Sequence, residues 1–288
     1  MPINSAIEQL HQLNSDHESA YESGNLWYMP QGLTITTLPH SENFDQRFVR
    51  SNGTCQLELV AMHDDVGLPF GPMARMIMAW LTKEAVRSGS RDLLFDRSMA
   101  AFLRELGYAS DGGPYGTINR LKEQTLRLSC CAFSFRDSRL RNQEKRSQML
   151  VSDHSENWFS STTQNNSRFK YEICLSQVFF DEIVENPVPV DMRVLKRLKS
   201  SSLRMDIYLW LTYRMFYLRK PSEIPWSLLP HQFGCGYPDT AIGRRAFKKK
   251  FRKELQFVVS HAYTEANVDE SETHLILNPS PVPVPPRN

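Results

Sequence analysis

Apolar positions recur at helical spacing in three long stretches of this chain and alternate in several shorter ones. Met73 to Ala85 (MARMIMAWLTKEA) carries an apolar stripe behind Pro72, which suits a first helical turn, and the stretch stops at Gly89. Ser200 to Tyr217 (SSSLRMDIYLWLTYRMFY) predicts a second long amphipathic helix. In the third stretch, Phe247, Phe251 and Leu255 fall on one side of a helix from Thr240 to Leu255, with Arg245, Lys248, Lys249, Arg252 and Lys253 opposite. Thr54 to Ala61 alternates as a strand does, and DLLFD at Asp92 predicts a short one. Ser98 is placed to cap a helix MAAFLRELG that Gly107 stops, and another helix runs from Thr117 to about Arg127.

Taken in order, residues 73–175 read helix, short strand, helix, turn, helix, then β-rich segments (LSCCAFSF, MLVS, FKYEICL) around a basic loop at 136–146. The order recurs after residue 200: a long helix, the strand EIPW, the helix SLLPHQF bent or shortened by Pro230, the turn GCGYPD, and the basic helix. LQFVVSHAY and THLILNPS, either side of the acidic EANVDESE, then predict a hairpin. This is the order of a winged helix, a helix-turn-helix with a two-stranded wing, present twice. The expected fold is α+β, with an extension over residues 1–47 that is partly disordered, units at 48–188 and 189–280, and an extended proline-rich tail at 281–288.

Composition first argues against a polyanion partner, since the net charge is only +2. Its distribution reverses that. Residues 191–255 hold 15 Lys and Arg against 5 Asp and Glu, a local net of +10 that leaves the remainder at −8. Seven of the ten residues from Arg244 to Lys253 are basic, with only Glu254 close by to relieve them. A solvated face would interleave opposite signs, because i,i+4 pairs of opposite charge support a helix and like charges weaken it. An anion is the natural stabiliser, and nucleic acid is the obvious one.

Cys55, Cys130, Cys131, Cys174 and Cys235 are odd in number and form no CxxC, so neither a disulfide framework nor a metal site is expected. The N-terminus lacks a secretory pattern, and no apolar run approaches a bilayer span. These features predict a cytoplasmic protein without a membrane partner.

Several blocks carry a family resemblance: GLPFGPMARMIMAWLTKEAVRSGSRDLLFD, FLRELGY, GGPYGTINRLKEQTLRL, PVPVDMRVLKRLKSSSLRMDIYLWLTYRM, IPWSLLPHQFG and FKKKF. Together they cover most of residues 55–280, and the chain resembles the plasmid-encoded RepA replication initiators. The resemblance implies binding to repeated origin sequences (iterons) on double-stranded DNA, opening of an adjacent AT-rich tract, and recruitment of a host replication initiator and helicase. It also implies that the second winged helix is the main iteron reader. The first would support dimerisation, in a monomer–dimer equilibrium, and contact the DNA backbone.

The DNA-binding set expected from these patterns is Thr240, Arg244, Arg245, Lys248, Lys249, Arg252 and Lys253 in the second unit, with Asn119, Arg120 and Arg127 as a weaker, mixed-charge set in the first. Thr240 and Asp239 suit an N-cap, and Ala241 and Ile242 could meet a thymine methyl. Arg136, Arg139, Arg141, Lys145 and Arg146 sit where a wing tip would lie. The long apolar helix from Met73 is expected to offer a surface to a second copy or a host protein.

Catalysis finds little footing, and no cofactor or metal is implied. There is no His-x-His and no GxxxxGK[ST], and His63, Asp64 and Asp65 lack companions. The chain is therefore expected not to be an enzyme. A winged-helix transcriptional repressor acting on its own or a plasmid operator is the alternative, since it needs the same surface.

Overall fold

The computed structural model describes residues 20–42, 44–138, 145–159, 168–234 and 236–285. Its elements run β1 (Leu26–Pro30), α1 (Gln31–Ile35), β2 (Arg47–Ser51), β3 (Cys55–Ala61), α2 (Gly71–Ser88), β4 (Asp92–Ser98), α3 (Met99–Glu105), α4 (Thr117–Ser129), β5 (Cys131–Asp137), β6 (Lys145–Leu150), β7 (Ser152–Phe159) and β8 (Arg168–Leu175). They continue α5 (Gln177–Glu185), β9 (Pro187–Asp191), α6 (Met192–Leu198), α7 (Ser202–Tyr217), β10 (Ser222–Pro225), α8 (Leu229–Phe233), α9 (Ala241–His261), β11 (Val268–Glu270) and β12 (His274–Leu277). The fold is mixed helix and sheet, as the sequence predicts.

Two sheets share a topology. β4, β8 and β7 stand in that order, antiparallel throughout, and so do β10, β12 and β11. In each, the strand after a long helix (α2 or α7) pairs with the last strand of a hairpin that follows two further helices. The strand pairing thus recurs in the two halves, while β5 and β6, which join another sheet, come before the hairpin in the first half only.

The capping chemistry sets the boundaries. The Ser98 hydroxyl accepts from the Ala101 amide at the start of α3, and α2 ends at Gly89, whose φ of 62° is the left-handed conformation that glycine adopts without strain.

Several expectations are corrected. Residues 26–38 do not belong to an extension: β1 pairs antiparallel with β9, and Trp27, Met29, Leu33 and Leu38 lie in the main core. Residues 1–19 of the expected extension lie outside the described residues. α2 is not a surface helix, because Met73, Met76, Ile77, Trp80 and Leu81 are fully enclosed, packed against β1, α4 and α5. Side chains of that size each contribute roughly 1.5–3 kcal/mol on burial, so exposing them to a partner would be costly. The described part of the tail, 281–285, is not free and bends at Pro283 and Val284: Val284 is buried, and the Tyr263 hydroxyl donates to the Pro281 carbonyl.

The segment 136–146, expected as a basic loop, spans the end of β5 and the start of β6 in a separate four-stranded sheet, β2-β3-β5-β6, with Arg136 paired opposite Arg146 and Lys145 opposite Asp137. It is not the tip of the hairpin that pairs with β4, whose own connection at 160–167 lies outside the described residues, as do Arg139 and Arg141. Finally, α9 continues through His261, where the sequence predicts a strand from Leu255. Val258 and Ala262 extend the buried stripe of Phe247, Phe251 and Leu255 at 3.6-residue spacing, and that outweighs the strand preference of Val258–Val259.

The core is continuous through both halves of the chain, from Trp27 to Leu277. At its centre, Arg75 of α2 donates to Asp206 of α7 from Nε (2.6 Å) and Nη2 (2.7 Å), with both side chains about 98% enclosed. The same guanidinium donates to the carbonyls of Leu38, Pro39 and Gly71, and His40 Nε2 lies 2.8 Å from the second Asp206 oxygen. This network ties the first helix of one repeat to the first helix of the other.

Candidate nucleic-acid interface

α9 is set on an aromatic platform. Phe247 and Phe251 (centroids 5.5 Å apart) face inward, Phe251 meets Phe233 of α8 at 5.2 Å, and Phe233 meets Trp210 of α7 at 5.4 Å. Such ring pairs add about 0.5–1.5 kcal/mol each beyond their buried area, so the helix is held rigidly. Its start is fixed by Thr240, whose Oγ1 accepts from the Gly243 amide at 3.1 Å. Gly243 is required there: a Cβ would stand 2.1 Å from the Pro238 carbonyl, where the α8–α9 turn crosses the helix.

The outward face divides into engaged and unengaged cations. Arg244 pairs with Asp239, Arg252 with Glu270, and Lys250 with Glu254 at 2.7 Å. Lys248 lies 4.5 Å above the Trp226 ring and donates to the Glu272 carbonyl. Among the described residues, Arg245, Lys249 and Lys253 have no carboxylate in ion-pair range, and all three are exposed. Their i, i+4, i+8 spacing puts them on one line, which at about 1.5 Å of rise per residue is about 12 Å long. Ile242, 79% exposed, and Ala241 lie at its N-terminal end. A cleft of about 620 Å³ beside that end separates the β2–β3 turn from Tyr237, Asp239 and Arg244.

Glu254 does not relieve the basic face as the sequence implies. It is buried, bonded to Arg204 of α7 on the inner side, and only Lys250 reaches it from α9. The neutralising charge on the surface comes instead from Asp239 in the turn before α9 and from the β11–β12 hairpin, where Asp269, Glu270 and Glu272 are exposed. A phosphate-seeking hairpin would be basic, and this one is acidic. Replacing Glu270 with Gln releases Arg252 and removes a charge that repels DNA. The expected result is tighter duplex binding with a log–log salt slope steeper by up to about one unit. Equal affinity and slope across a salt titration would show that Arg252 stays off the DNA.

The first-unit set is corrected in part. Arg127 is buried: it donates to the Leu68 carbonyl (3.0 Å), pairs with Glu42 and Glu123 at 2.7 Å each, and lies over the Phe70 ring. It holds α4 to the segment before α2 and is not available to DNA. Asn119 is exposed, but its amide donates to the carbonyls of Gly113 and Pro114 and shapes the turn. Arg120 remains exposed with no ion pair among the described residues. His63, Asp64 and Asp65 occupy an exposed turn after β3.

The model of a family described as plasmid-encoded RepA protein matches residues 68–226, more than half the chain. The protein belongs to that family. Membership supports a role in initiating plasmid replication, and the matched span carries the α2–β4–α3–α4 repeat up to the start of the second. In fold, this RepA family member is similar to the crystal structure of domain 2 and domain 3 of RctB, with a TM-score of 0.54 at 14% identity, covering 86% of this chain and 98% of that one. A second crystal structure, of RctB domains 2-3, gives a TM-score of 0.49 at 12% identity over 86% and 96% of the two chains. No curated protein matches the chain. No helix among the described residues is long and apolar enough to cross a membrane.

Proposed function

We propose that this protein is a cytoplasmic plasmid replication initiator that binds iterons in double-stranded origin DNA through α9, opens the neighbouring AT-rich tract, and recruits a host initiator and helicase without covalent chemistry of its own. Each unit, 48–188 and 189–280, acts as a winged helix, and the first supports a monomer–dimer equilibrium. The observation that carries the DNA-binding reading is the line of Arg245, Lys249 and Lys253, three exposed cations without an acid in range among the described residues, on a helix anchored by a buried aromatic stack. Cations presented this way take phosphates, and Ala241 and Ile242 at the first turn are positioned for thymine methyl groups.

The test uses supercoiled plasmid carrying the cognate origin. The expected result is permanganate-reactive thymines beside direct repeats, with no strand break and no ATP hydrolysis. Metal-dependent nicking lost in Asp64→Asn/Asp65→Asn would overturn the non-enzymatic reading. Protection of a lone inverted repeat over a promoter, with no reactive thymines, would make the protein a repressor.

A further inference from the structure

The last turns of α7 present aromatic rings to solvent. Phe216 is 41% exposed and Tyr217 57%, with ring centroids 4.9 Å apart, and Tyr217 meets Tyr213 at 5.1 Å. The Gln31 amide of α1 donates to the Tyr213 hydroxyl at 3.2 Å and fixes that ring. Pro187 and Pro189 of β9 line the same groove, so both its walls are apolar. Large apolar side chains gathered in this way mark a surface that another segment covers.

The proline-rich tail supplies that segment, and fills the groove only in part. Val282 and Val284 both line it; Val282 packs against the main core, and Val284 is 3% exposed. About 210 Å³ beside them stays open. The way the chain is held changes at Pro281. Up to that residue it is hydrogen-bonded: the Asn267 amide donates to Ser280 Oγ at 2.9 Å, and the Tyr263 hydroxyl donates to the Pro281 carbonyl at 2.5 Å. From Val282 to Pro285 the tail makes no hydrogen bond among the described residues, and its prolines have no N–H to offer. Apolar contact is non-directional, so the two valines form a plug that withdraws without breaking a hydrogen bond. Charge complements the fit. Glu185, at the end of α5, also lines the groove and is exposed, with no ion pair among the described residues. The one charged side chain of the tail is Arg287, which lies outside them.

We propose that the groove between α7 and β9 is a docking site for this valine–proline tail, and that the tail of a second copy takes it in exchange for the chain's own. The two tails make the same contacts, so exchange alters the effective concentration of the tail and not its fit. A pair joined in this way is closed, because each copy gives one tail and takes one. The exchange needs no DNA and does not rest on the DNA-binding reading above.

The experiment mixes two full-length variants that carry different affinity tags. Val284→Asp spoils the tail and keeps the groove, whereas Phe216→Ser/Tyr217→Ser spoils the groove and keeps the tail. Circular dichroism checks the fold of each, and a chain lacking 282–288 serves as a second tail-less partner. The control mixes Val284→Asp with the triple variant Phe216→Ser/Tyr217→Ser/Val284→Asp, which retains association through any other surface. Co-purified mixed pairs are expected in excess over that control. A labelled peptide of residues 278–288 should bind Val284→Asp about tenfold or more tighter than wild type, whose own tail competes at the roughly millimolar effective concentration of a short link. Added in excess, the same peptide should remove the additional mixed pairs. No excess over the control, or an excess that the peptide leaves intact, overturns the exchange. Equal peptide binding by wild type and Val284→Asp overturns the groove as the seat of the tail. Neither result touches the DNA-binding reading.

Discussion

Asp206→Ala is expected to lower the stability of the folded protein by about 3–5 kcal/mol, the usual cost of removing one partner from a buried ion pair. The loss follows from what remains. Arg75 is 1% exposed, and without Asp206 its guanidinium keeps only the carbonyls of Leu38, Pro39 and Gly71. Hydrogen bonds to carbonyls do not neutralise a charge held away from water. Replacing both partners, as in Arg75→Met/Asp206→Leu, should restore much of the loss, because two apolar side chains of similar volume need no counter-charge. Chemical denaturation followed by circular dichroism reads both values, and a single-variant loss below about 1 kcal/mol would show that the network is not a stabilising tie.

The same network predicts a pH dependence. Burial lowers the His40 imidazole below its ordinary value, outweighing the Asp206 carboxylate that favours its charged form. The folded state therefore resists protonation that the unfolded chain accepts near pH 6.5. The contribution is complete above that pH and is lost as the pH falls below it. Burial alone would raise the Asp206 carboxyl; Arg75 and His40 outweigh it and keep Asp206 ionised under these conditions.

Legibility in the sequence tracked the range of the interactions. The inward stripe of α9, the Ser98 and Thr240 caps and the Gly89 stop are set by residues within a turn or two of each other, and the sequence reading placed them correctly. β1 was missed because its partner β9 lies about 160 residues away, and a five-residue strand carries no local signal strong enough to announce such a pairing. The end of α9 was misread for the opposite reason: Val258 and Val259 favour a strand locally, but the packed stripe continues through them. Arg127 did leave a signal. Glu123 stands four residues before it, in the orientation that favours an i,i+4 ion pair on a helix, and that pair forms. The division of the α9 cations was not legible at all, since Asp239 and Glu270 reach them from a turn and from a hairpin.

That division makes the second large prediction specific. Arg245→Ala with Lys249→Ala removes two cations that have no protein partner among the described residues, so their loss costs the free protein little and the complex much. A hydrogen bond to a charged group is worth about 1.5–3 kcal/mol, which puts the expected loss of duplex affinity on the order of 100-fold or more. Each lost phosphate contact should also flatten the log–log salt dependence by about one unit, giving a slope lower by about two. Lys250→Ala is the matched control. Lys250 is spent on Glu254, which keeps Arg204 as a partner, so its removal takes the same charge from the same helix with little change in slope. Affinity measured over a salt series separates the outcomes. If Lys250→Ala flattens the slope as much as either unpaired cation does, α9 acts as a diffuse positive surface. If only Arg245 and Lys249 do so, the line they form with Lys253 is the edge that meets the phosphates, and the acidic hairpin beside it sets which edge of α9 the DNA can approach.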